Sequence, residues 1–165
     1  MIDVRIDDLA FFEGDAIAWP VTAELAPPTA LMRRVADAAG PALAKQLQLQ
    51  EPLAVGSAIV TGAGDLEVDL LVHAVVSSRT EPVTRDTVRR ATMSALHRAD
   101  AWAIDKLAMA PFGLGAGNLD PEASAEVMLD VISTFMRTGR KPHAVTIVVE
   151  NAAEFEAFTS LIPRT

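Results

Sequence analysis

The segment LAMAPFGLGAGNLDP, residues 107–121, contains the residues best suited to chemistry. An apolar stretch predicted to be a strand leads there into a glycine-spaced loop. Gly113, Gly115 and Gly117 lack a Cβ, so backbone N–H groups can approach a ligand closely. Successive N–H groups in such a loop form a concave anion-binding site. A plain tight turn is the alternative interpretation of the same glycines.

The helix predicted after this loop would strengthen an anion site. Asp120 is the predicted N-cap and Pro121 the first helical residue, since both residue types favour those positions. A helix N-terminus carries about half a positive charge, which attracts phosphate groups. The sequence therefore predicts a cradle for a phosphate or a similar anion.

The three histidines, His73, His97 and His143, lie too far apart in sequence to match a known metal-ligand spacing. His73 falls inside an apolar strand and is interpreted as a buried, hydrogen-bonded side chain. Arg33 and Arg34 lie on a predicted helix, where surface charge is favoured over contact with a ligand phosphate. No metal site, cofactor or catalytic residue is predicted.

Composition limits the classes of protein that the chain can represent. Its 165 residues, half of them hydrophobic, predict one domain over residues 1–165. A net charge of −8 argues against binding to nucleic acid or to an anionic membrane. Without cysteines, with an acidic start and without a long apolar run, the chain is expected to be cytoplasmic. The hydrophobic content is compatible with a homo-oligomer.

Short β-rich runs alternate with helical patterns along the chain. Strands are predicted at residues 2–6, 15–19, 57–61, 69–76, 105–110 and 144–149, and helices at 29–49, 84–101, 121–137 and 152–161. Helical crossovers between most of the strands favour a three-layer α/β/α fold with a mixed, largely parallel six-stranded sheet. Ligands bind at the carboxyl ends of the strands in such sheets, and the glycine loop follows a strand at that edge.

Three blocks of the sequence resemble the macro domain, an ADP-ribose-binding module. IDDLAFFEGDAI is similar to the opening Gly-Asp-Ile-Thr … Asp-Ala-Ile-Val pattern of the family, and VGSAIVTGAGDLEVDLLVHAVV is similar to its middle block. APFGLGAGNLDPEAS resembles its second phosphate loop, which is the most specific block. Together the blocks cover nearly the whole chain and imply a divergent macro domain.

The resemblance implies roles for two groups of residues. Asp8 falls on the carboxylate that accepts the adenine amino group, although a helix cap is an equally good interpretation of Asp8. Asp7 stands where the family has glycine. The loop that wraps the diphosphate and the distal ribose corresponds to Gly113, Leu114, Gly115, Ala116, Gly117 and Asn118.

The other half of the implied cleft departs from the family pattern. Where the family reads Asn-Ala-Ala-Asn, this chain reads residues 19–22, Trp-Pro-Val-Thr. Thr22 takes the place of the asparagine that orients the distal ribose in hydrolytic members, and a hydroxyl cannot supply the paired donor and acceptor of an amide. The glycine-rich first phosphate loop is replaced by a segment that begins Pro27-Pro28, which offers no N–H donors. Trp19 is expected either to fill part of the cleft or to belong to the core.

Three functional hypotheses follow from the resemblance. The first is a module that binds ADP-ribose or a related nucleotide diphosphate without hydrolysing it. The second is an ADP-ribosyl hydrolase with a rearranged cleft that uses Thr22 or Asp65. The third is a scaffold that has lost the ligand and acts through protein contacts.

Overall fold

Strands and helices alternate in the computed structural model, which describes residues 1–115 and 118–162. The strands are β1 (Ile2–Ile6), β2 (Ala16–Thr22), β3 (Ala58–Gly62), β4 (Leu70–Ser77), β5 (Lys106–Met109) and β6 (Ala144–Val149). The helices are α1 (Ala30–Ala39), α2 (Pro41–Gln48), α3 (Arg85–Ala101), α4 (Pro121–Met136) and α5 (Ala152–Thr159), with a single 3-10 turn at Leu9–Phe11. Every predicted strand is present, with its ends displaced by at most a few residues.

Within the described ranges, six strands form one mixed sheet in the order β1-β6-β5-β2-β4-β3. β3 pairs antiparallel with β4, and every other neighbouring pair is parallel. The five parallel strands therefore end at one edge of the sheet. The connection between β3 and β4 lies at the opposite edge, because Gly62 at the end of β3 pairs with Leu70 at the start of β4.

Helices cover both faces of the sheet, which confirms the three-layer arrangement. Alternate residues of β2 point to opposite faces, as a strand requires. Ala16 and Ala18 pack with α3, α4 and Phe158 of α5, whereas Ile17 and Trp19 pack with α1 and α2. Among the described residues, no helix is long and apolar enough to cross a membrane.

The single helix predicted over residues 29–49 is wrong in one respect, because the chain breaks it in two. Gly40 ends α1 with a φ of +94°, which favours glycine, and Pro41 begins α2. Proline lacks the N–H that a continuous helix would need at that position. The glycine–proline pair was a readable stop-and-start signal.

Candidate functional site

A cleft of about 250 Å³ opens at the edge of the sheet where the parallel strands end. Its floor consists of residues at or beyond the ends of four strands, namely Pro20, Val76, Ala110 and Val148. One wall is the segment after β5, and the facing wall is the start of α1. The predicted position of the ligand site at the carboxyl edge therefore coincides with a real cavity.

The first wall, which we call the glycine loop, is formed by the described residues Gly113, Leu114, Gly115 and Asn118. Gly113 has a φ of +83°, and a Cβ at this position would lie 2.6 Å from Cγ2 of Val88. Gly115 has a φ of +134° and also lines the cleft. The glycines are needed for the backbone path itself, because a side chain at position 113 would collide with α3.

Three successive backbone N–H groups at this wall have no acceptor among the described residues. Those of Gly113, Leu114 and Gly115 form no hydrogen bond with any residue in the ranges 1–115 and 118–162. Asn118 N–H donates to the Gly115 carbonyl at 3.1 Å, and Leu119 N–H donates to the Gly113 carbonyl at 3.0 Å. These two bonds fix the loop and leave its inner donors available. The predicted ligand contacts of Ala116 and Gly117 lie outside the described residues.

Helix α4 begins directly after the glycine loop, as the sequence predicts. The Asp120 carboxylate accepts a hydrogen bond from the Ala123 N–H at 2.8 Å, and Pro121 is the first helical residue. Asp120 is thus the N-cap, and its side chain satisfies one of the free N–H groups of the first turn.

The facing wall has proline where the glycine loop has glycine. Pro28 and Thr29 line the cleft, and the Thr29 hydroxyl caps α1 by accepting the Met32 N–H at 3.2 Å. The two walls approach each other closely, since a Cβ at Gly115 would lie 3.3 Å from Cγ2 of Thr29. Because proline has no N–H, the backbone donors on this side are those of Thr29 and the first turn of α1.

Trp19 belongs to the core and does not line the cleft. It is 1% exposed, and its indole N–H donates to Nδ1 of His73 at 2.9 Å. Indole nitrogen is only a donor, so His73 carries its proton on Nε2, which donates to the Thr61 hydroxyl at 2.8 Å. Thr61 in turn donates to the Gly62 carbonyl. Burial lowers the pKa of His73 to about 4.

Thr22 ties a turn together at the end of β2. Its hydroxyl accepts the Ala26 N–H at 3.3 Å, and its own N–H donates to the Ala26 carbonyl at 2.9 Å. Thr22 does not line the cleft. Its predicted contact with a ribose stays a prediction.

Asp65, the alternative catalytic residue considered above, lies far from the cleft. Its N–H donates to the carbonyl of Ala39 at the C-terminal end of α1, and its carboxylate is close to Gly40. The cleft adjoins the N-terminal end of the same helix. Ten helical residues span about 15 Å, so Asp65 is at the wrong end for chemistry in the cleft.

Acidic side chains converge at the end of the cleft formed by β6 and α5. Glu150 and Glu154 line it, and the Asp8 carboxylate lies beside them. We call these three residues the carboxylate end. Arg34 of α1 contacts two of them, with its guanidinium 3.1 Å from Glu150 and 3.9 Å from Asp8.

The carboxylate end is shaped by the hydrogen bond that Asp8 accepts and by the groups that shift the pKa of Glu150. Asp8 caps the 3-10 turn by accepting the Ala10 N–H at 3.0 Å, so the cap interpretation of Asp8 is confirmed. Its contact with a base stays a prediction. Burial raises the pKa of Glu150, Arg34 opposes the rise, and Glu154 and Asp8 add to it.

Sequence reasoning did not find the arrangement around Arg34. Arg34 and Glu150 are 116 positions apart in sequence, and no local pattern connects them. The favoured interpretation of Arg34 as surface charge is consistent with its exposure, but it gave no indication of the carboxylate partners.

The fold and the cleft define an α/β protein with a ligand-sized site at the carboxyl edge of a largely parallel sheet. The sequence matches the profile of the Macro domain family over residues 27–128. The chain therefore belongs to the macro domain family.

Comparisons with individual proteins agree with this assignment. The chain is 28% identical over 161 residues to an uncharacterized protein of Mycobacterium tuberculosis, covering 98% of this chain but only 44% of that protein. It is 27% identical over 167 residues to an O-acetyl-ADP-ribose deacetylase of Enterobacter sp. strain 638, covering 98% and 93% of the two chains.

Solved macrodomain structures have the same fold. The Oceanobacillus iheyensis macrodomain with ADP superposes with a TM-score of 0.85 at 16% identity, covering 95% of this chain and 87% of that one. The Trypanosoma brucei macrodomain in complex with ADP-ribose gives 0.86 at 14% identity, covering 96% and 68%. At these identities the likeness confirms the fold alone.

Proposed function

We propose that this macro domain binds ADP-ribose or a related nucleotide diphosphate in the cleft and does not hydrolyse it. The diphosphate lies against the glycine loop, and the base points to the carboxylate end. The main support for this proposal is that the three successive N–H groups at Gly113, Leu114 and Gly115 have no acceptor among the described residues.

The chemistry of the glycine loop supports a phosphate rather than a neutral group. Adjacent N–H groups that converge on one point favour a negative charge. Helix α4 begins just beyond the loop, and the first turn of α1 faces it, so two helix N-termini adjoin the cleft. Each adds partial positive charge where the phosphates would lie. The net charge of −8 makes this local arrangement necessary, because the chain as a whole repels anions.

The carboxylate end supports a base with an exocyclic amino group. A carboxylate accepts hydrogen bonds and donates none, so it selects N–H groups on the ligand. The resemblance assigns this contact to Asp8, and its position beside Glu150 supports that assignment. The apolar side chains of Leu9, Met32 and Val148 line the cleft between its two ends and offer a surface for the faces of a base and a sugar.

The end of β2 supports binding without hydrolysis. Trp19 and Thr22 occupy the positions of the two family asparagines; the Trp19 indole N–H donates to His73, and the Thr22 hydroxyl oxygen accepts the Ala26 N–H. Neither side chain can orient a ribose as an amide does. Asp65 lies at the far end of α1 and is no substitute. The alternative activity is hydrolysis of an ester or glycosidic bond to ADP-ribose, because one relative is named as an O-acetyl-ADP-ribose deacetylase.

Ligand binding is tested by thermal unfolding with ADP-ribose, ADP, AMP and NAD, followed by isothermal titration calorimetry with each. A ligand present at 100 times its dissociation constant stabilises the folded state by about 2.7 kcal/mol, which raises the Tm by several degrees. We expect such a shift with ADP-ribose and a smaller one with AMP, which lacks the second phosphate. No shift with any of the four nucleotides would contradict the proposal and favour the scaffold hypothesis.

The variant Gly115→Glu, compared with a matched control, distinguishes blocking of the ligand site from an effect of backbone strain. The new carboxylate would enter the phosphate position next to Thr29, so we expect binding of ADP-ribose to fall by more than a hundredfold. Gly139→Glu is the matched control, because Gly139 also has a positive φ, +77°, but has nothing within 4 Å of a Cβ. Equal loss of binding in both variants would show that backbone strain, and not the cradle, causes the effect.

Hydrolysis is tested separately with O-acetyl-ADP-ribose and with a mono-ADP-ribosylated protein. We expect no release of acetate or of ADP-ribose above the rate without protein. Turnover that disappears in Gly115→Glu and persists in Gly139→Glu would contradict the non-hydrolytic part of the proposal and leave the binding part intact.

A further inference from the structure

Among the described residues, one cation, Arg34, forms ion pairs with acidic groups at the carboxylate end of the cleft. The guanidinium of Arg34 is 3.1 Å from Oε2 of Glu150 through one nitrogen and 3.9 Å from Oδ2 of Asp8 through another. A planar guanidinium is suited to pairing with two carboxylates, because its separate N–H groups can face both at once. The contacts link α1 to the chain before β2 and to the end of β6.

The charges near the cleft would otherwise oppose an anionic ligand. Among the described residues that line the cleft, the charged ones are Glu150 and Glu154, and both are acidic. Asp8 adds a third carboxylate at the same end. A nucleotide diphosphate brings further negative charge, and like charges at close range are mutually unfavourable. Burial raises the pKa of Glu150, Arg34 opposes the rise, and Glu154 and Asp8 add to it.

We propose that Arg34 is the positioning residue that makes the carboxylate end compatible with a nucleotide diphosphate, by neutralising Glu150 and by holding Asp8 as an acceptor for the base. This inference rests on the proposed function. Arg34 acts through the two carboxylates and does not itself contact the phosphates, whose place is at the glycine loop.

A purely structural surface ion pair is the competing explanation. The Arg34 side chain is 56% exposed, and exposed ion pairs contribute little to stability. Under that explanation, loss of Arg34 would change neither ligand affinity nor its salt dependence. The two explanations differ in ligand binding, not in folding.

The experiment is calorimetric titration of ADP-ribose into the wild type and four variants of the whole chain. Arg34→Ala removes the cation, and Arg34→Lys keeps the positive charge without the two separate N–H groups of the guanidinium. Arg34→Ala combined with Glu150→Gln also removes one of the negative charges that Arg34 neutralises. Arg33→Ala is the matched control, because Arg33 is the neighbouring exposed arginine of α1 and forms no ion pair with another described residue. Far-ultraviolet circular dichroism of each variant checks that α1 is retained.

Under the proposal, Arg34→Ala weakens ADP-ribose binding by about tenfold, or about 1.4 kcal/mol. Arg34→Lys loses less, Arg33→Ala matches the wild type, and the added Glu150→Gln restores most of the affinity. The loss in Arg34→Ala shrinks in about 1 M salt, where the Debye length falls to about 3 Å. Folding effects alone would produce neither the rescue nor the salt dependence.

Three results would overturn the inference. They are unchanged affinity in Arg34→Ala, equal loss in Arg33→Ala, and failure of Glu150→Gln to restore binding. Each of them leaves the proposed function standing, because the wild type still binds. Absence of ADP-ribose binding in the wild type would instead refute the proposed function, and this inference with it.

Discussion

The glycine loop and the region opposite it differ in whether backbone or side-chain groups determine what they can bind. The glycine loop presents backbone N–H groups, and its shape follows from positive φ angles at Gly113 and Gly115. The facing wall, at the start of α1, carries Pro28 where the family pattern has glycine, and the end of β2, away from the cleft, carries Trp19 and Thr22 where the pattern has asparagines. The glycine loop has N–H groups without an acceptor among the described residues, whereas the side chains of Trp19 and Thr22 form internal hydrogen bonds.

Under the proposed function, this contrast explains how binding persists where hydrolysis is lost. Any residue type except proline supplies a backbone N–H, so a cradle persists as long as its glycines allow the backbone path. A ribose-orienting amide depends on one side chain and disappears with one substitution. In this chain, Trp19 and Thr22 illustrate the second case, and Leu114 illustrates the first.

The largest expected effect tests how firmly the glycine loop is fixed. Gly113→Ala places a Cβ 2.6 Å from Val88 and 3.0 Å from Val83 at a positive φ. Strain and overpacking together should lower the free energy of unfolding by about 4 kcal/mol. Gly139→Ala, with a positive φ but open space, should cost about 1 kcal/mol. Urea unfolding of both variants measures the difference, and equal losses would mean that the loop does not pack tightly against α3.

The next effect concerns His73, the buried side chain that accepts the indole N–H of Trp19. Burial lowers its pKa from the ordinary value of 6.5 to about 4, so the folded state holds His73 neutral. As the pH falls from 6.5 to 4, the unfolded chain gains a proton that the folded chain does not, and stability falls. The loss attributable to this group is about 3 kcal/mol, since one pKa unit is about 1.4 kcal/mol. The stabilising contribution of His73 is complete above about pH 6.5.

Urea unfolding at a series of pH values checks this prediction. In His73→Gln the part of the acid dependence between pH 6.5 and 4 that belongs to His73 should vanish. His97→Gln is the control for replacing a histidine, because His97 is exposed on α3. If the wild type and His73→Gln lose stability in parallel, His73 is not held neutral by burial.

A smaller effect tests the bond that holds Trp19 in the core. Trp19→Phe removes the indole N–H and leaves Nδ1 of His73 buried without its donor. An unsatisfied buried acceptor and lost packing should together lower the free energy of unfolding by about 2 kcal/mol. ADP-ribose affinity, measured on the same protein, should change less than twofold. A tenfold loss of affinity would show that Trp19 shapes the cleft.

The smallest effect decides between two interpretations of Thr22. Thr22→Val removes the hydroxyl that accepts the Ala26 N–H at 3.3 Å, at an expected cost of about 1 kcal/mol in stability. If the hydroxyl serves only this turn, calorimetric affinity for ADP-ribose stays within twofold of the wild type. If Thr22 contacts a ribose, as the resemblance implies, affinity falls about tenfold.

Much of the fold was predictable because its signals are local. Nearly continuous apolar runs located β4 and β6, and the Asp120-Pro121 pair marked the start of α4 to the residue. The same kind of signal at Gly40-Pro41 was available, but the apolar stripe that continues from Val35 to Leu43 concealed the break. Hydrophobic periodicity reports which side of a segment is buried and is insensitive to one interrupted turn.

The candidate site was predictable on one wall only. Glycine spacing is a direct statement about backbone conformation, so the loop after β5 could be found without a partner. The carboxylate end could not, because Asp8, Arg34 and Glu150 come from three distant parts of the chain. Their types alone indicated ordinary surface charges.

By itself, the sequence determined the order of strands and helices, the membership of the family and the glycine loop, because each depends on neighbours along the chain or on a block of adjacent residues. Only the tertiary structure decided that Trp19 faces His73, that Asp65 lies away from the cleft, and that Arg34 lies between two carboxylates. Those outcomes depend on strand order and on helix placement. Side chains tens of residues apart meet only where the sheet brings their elements together, and there burial and charge determine what each one does.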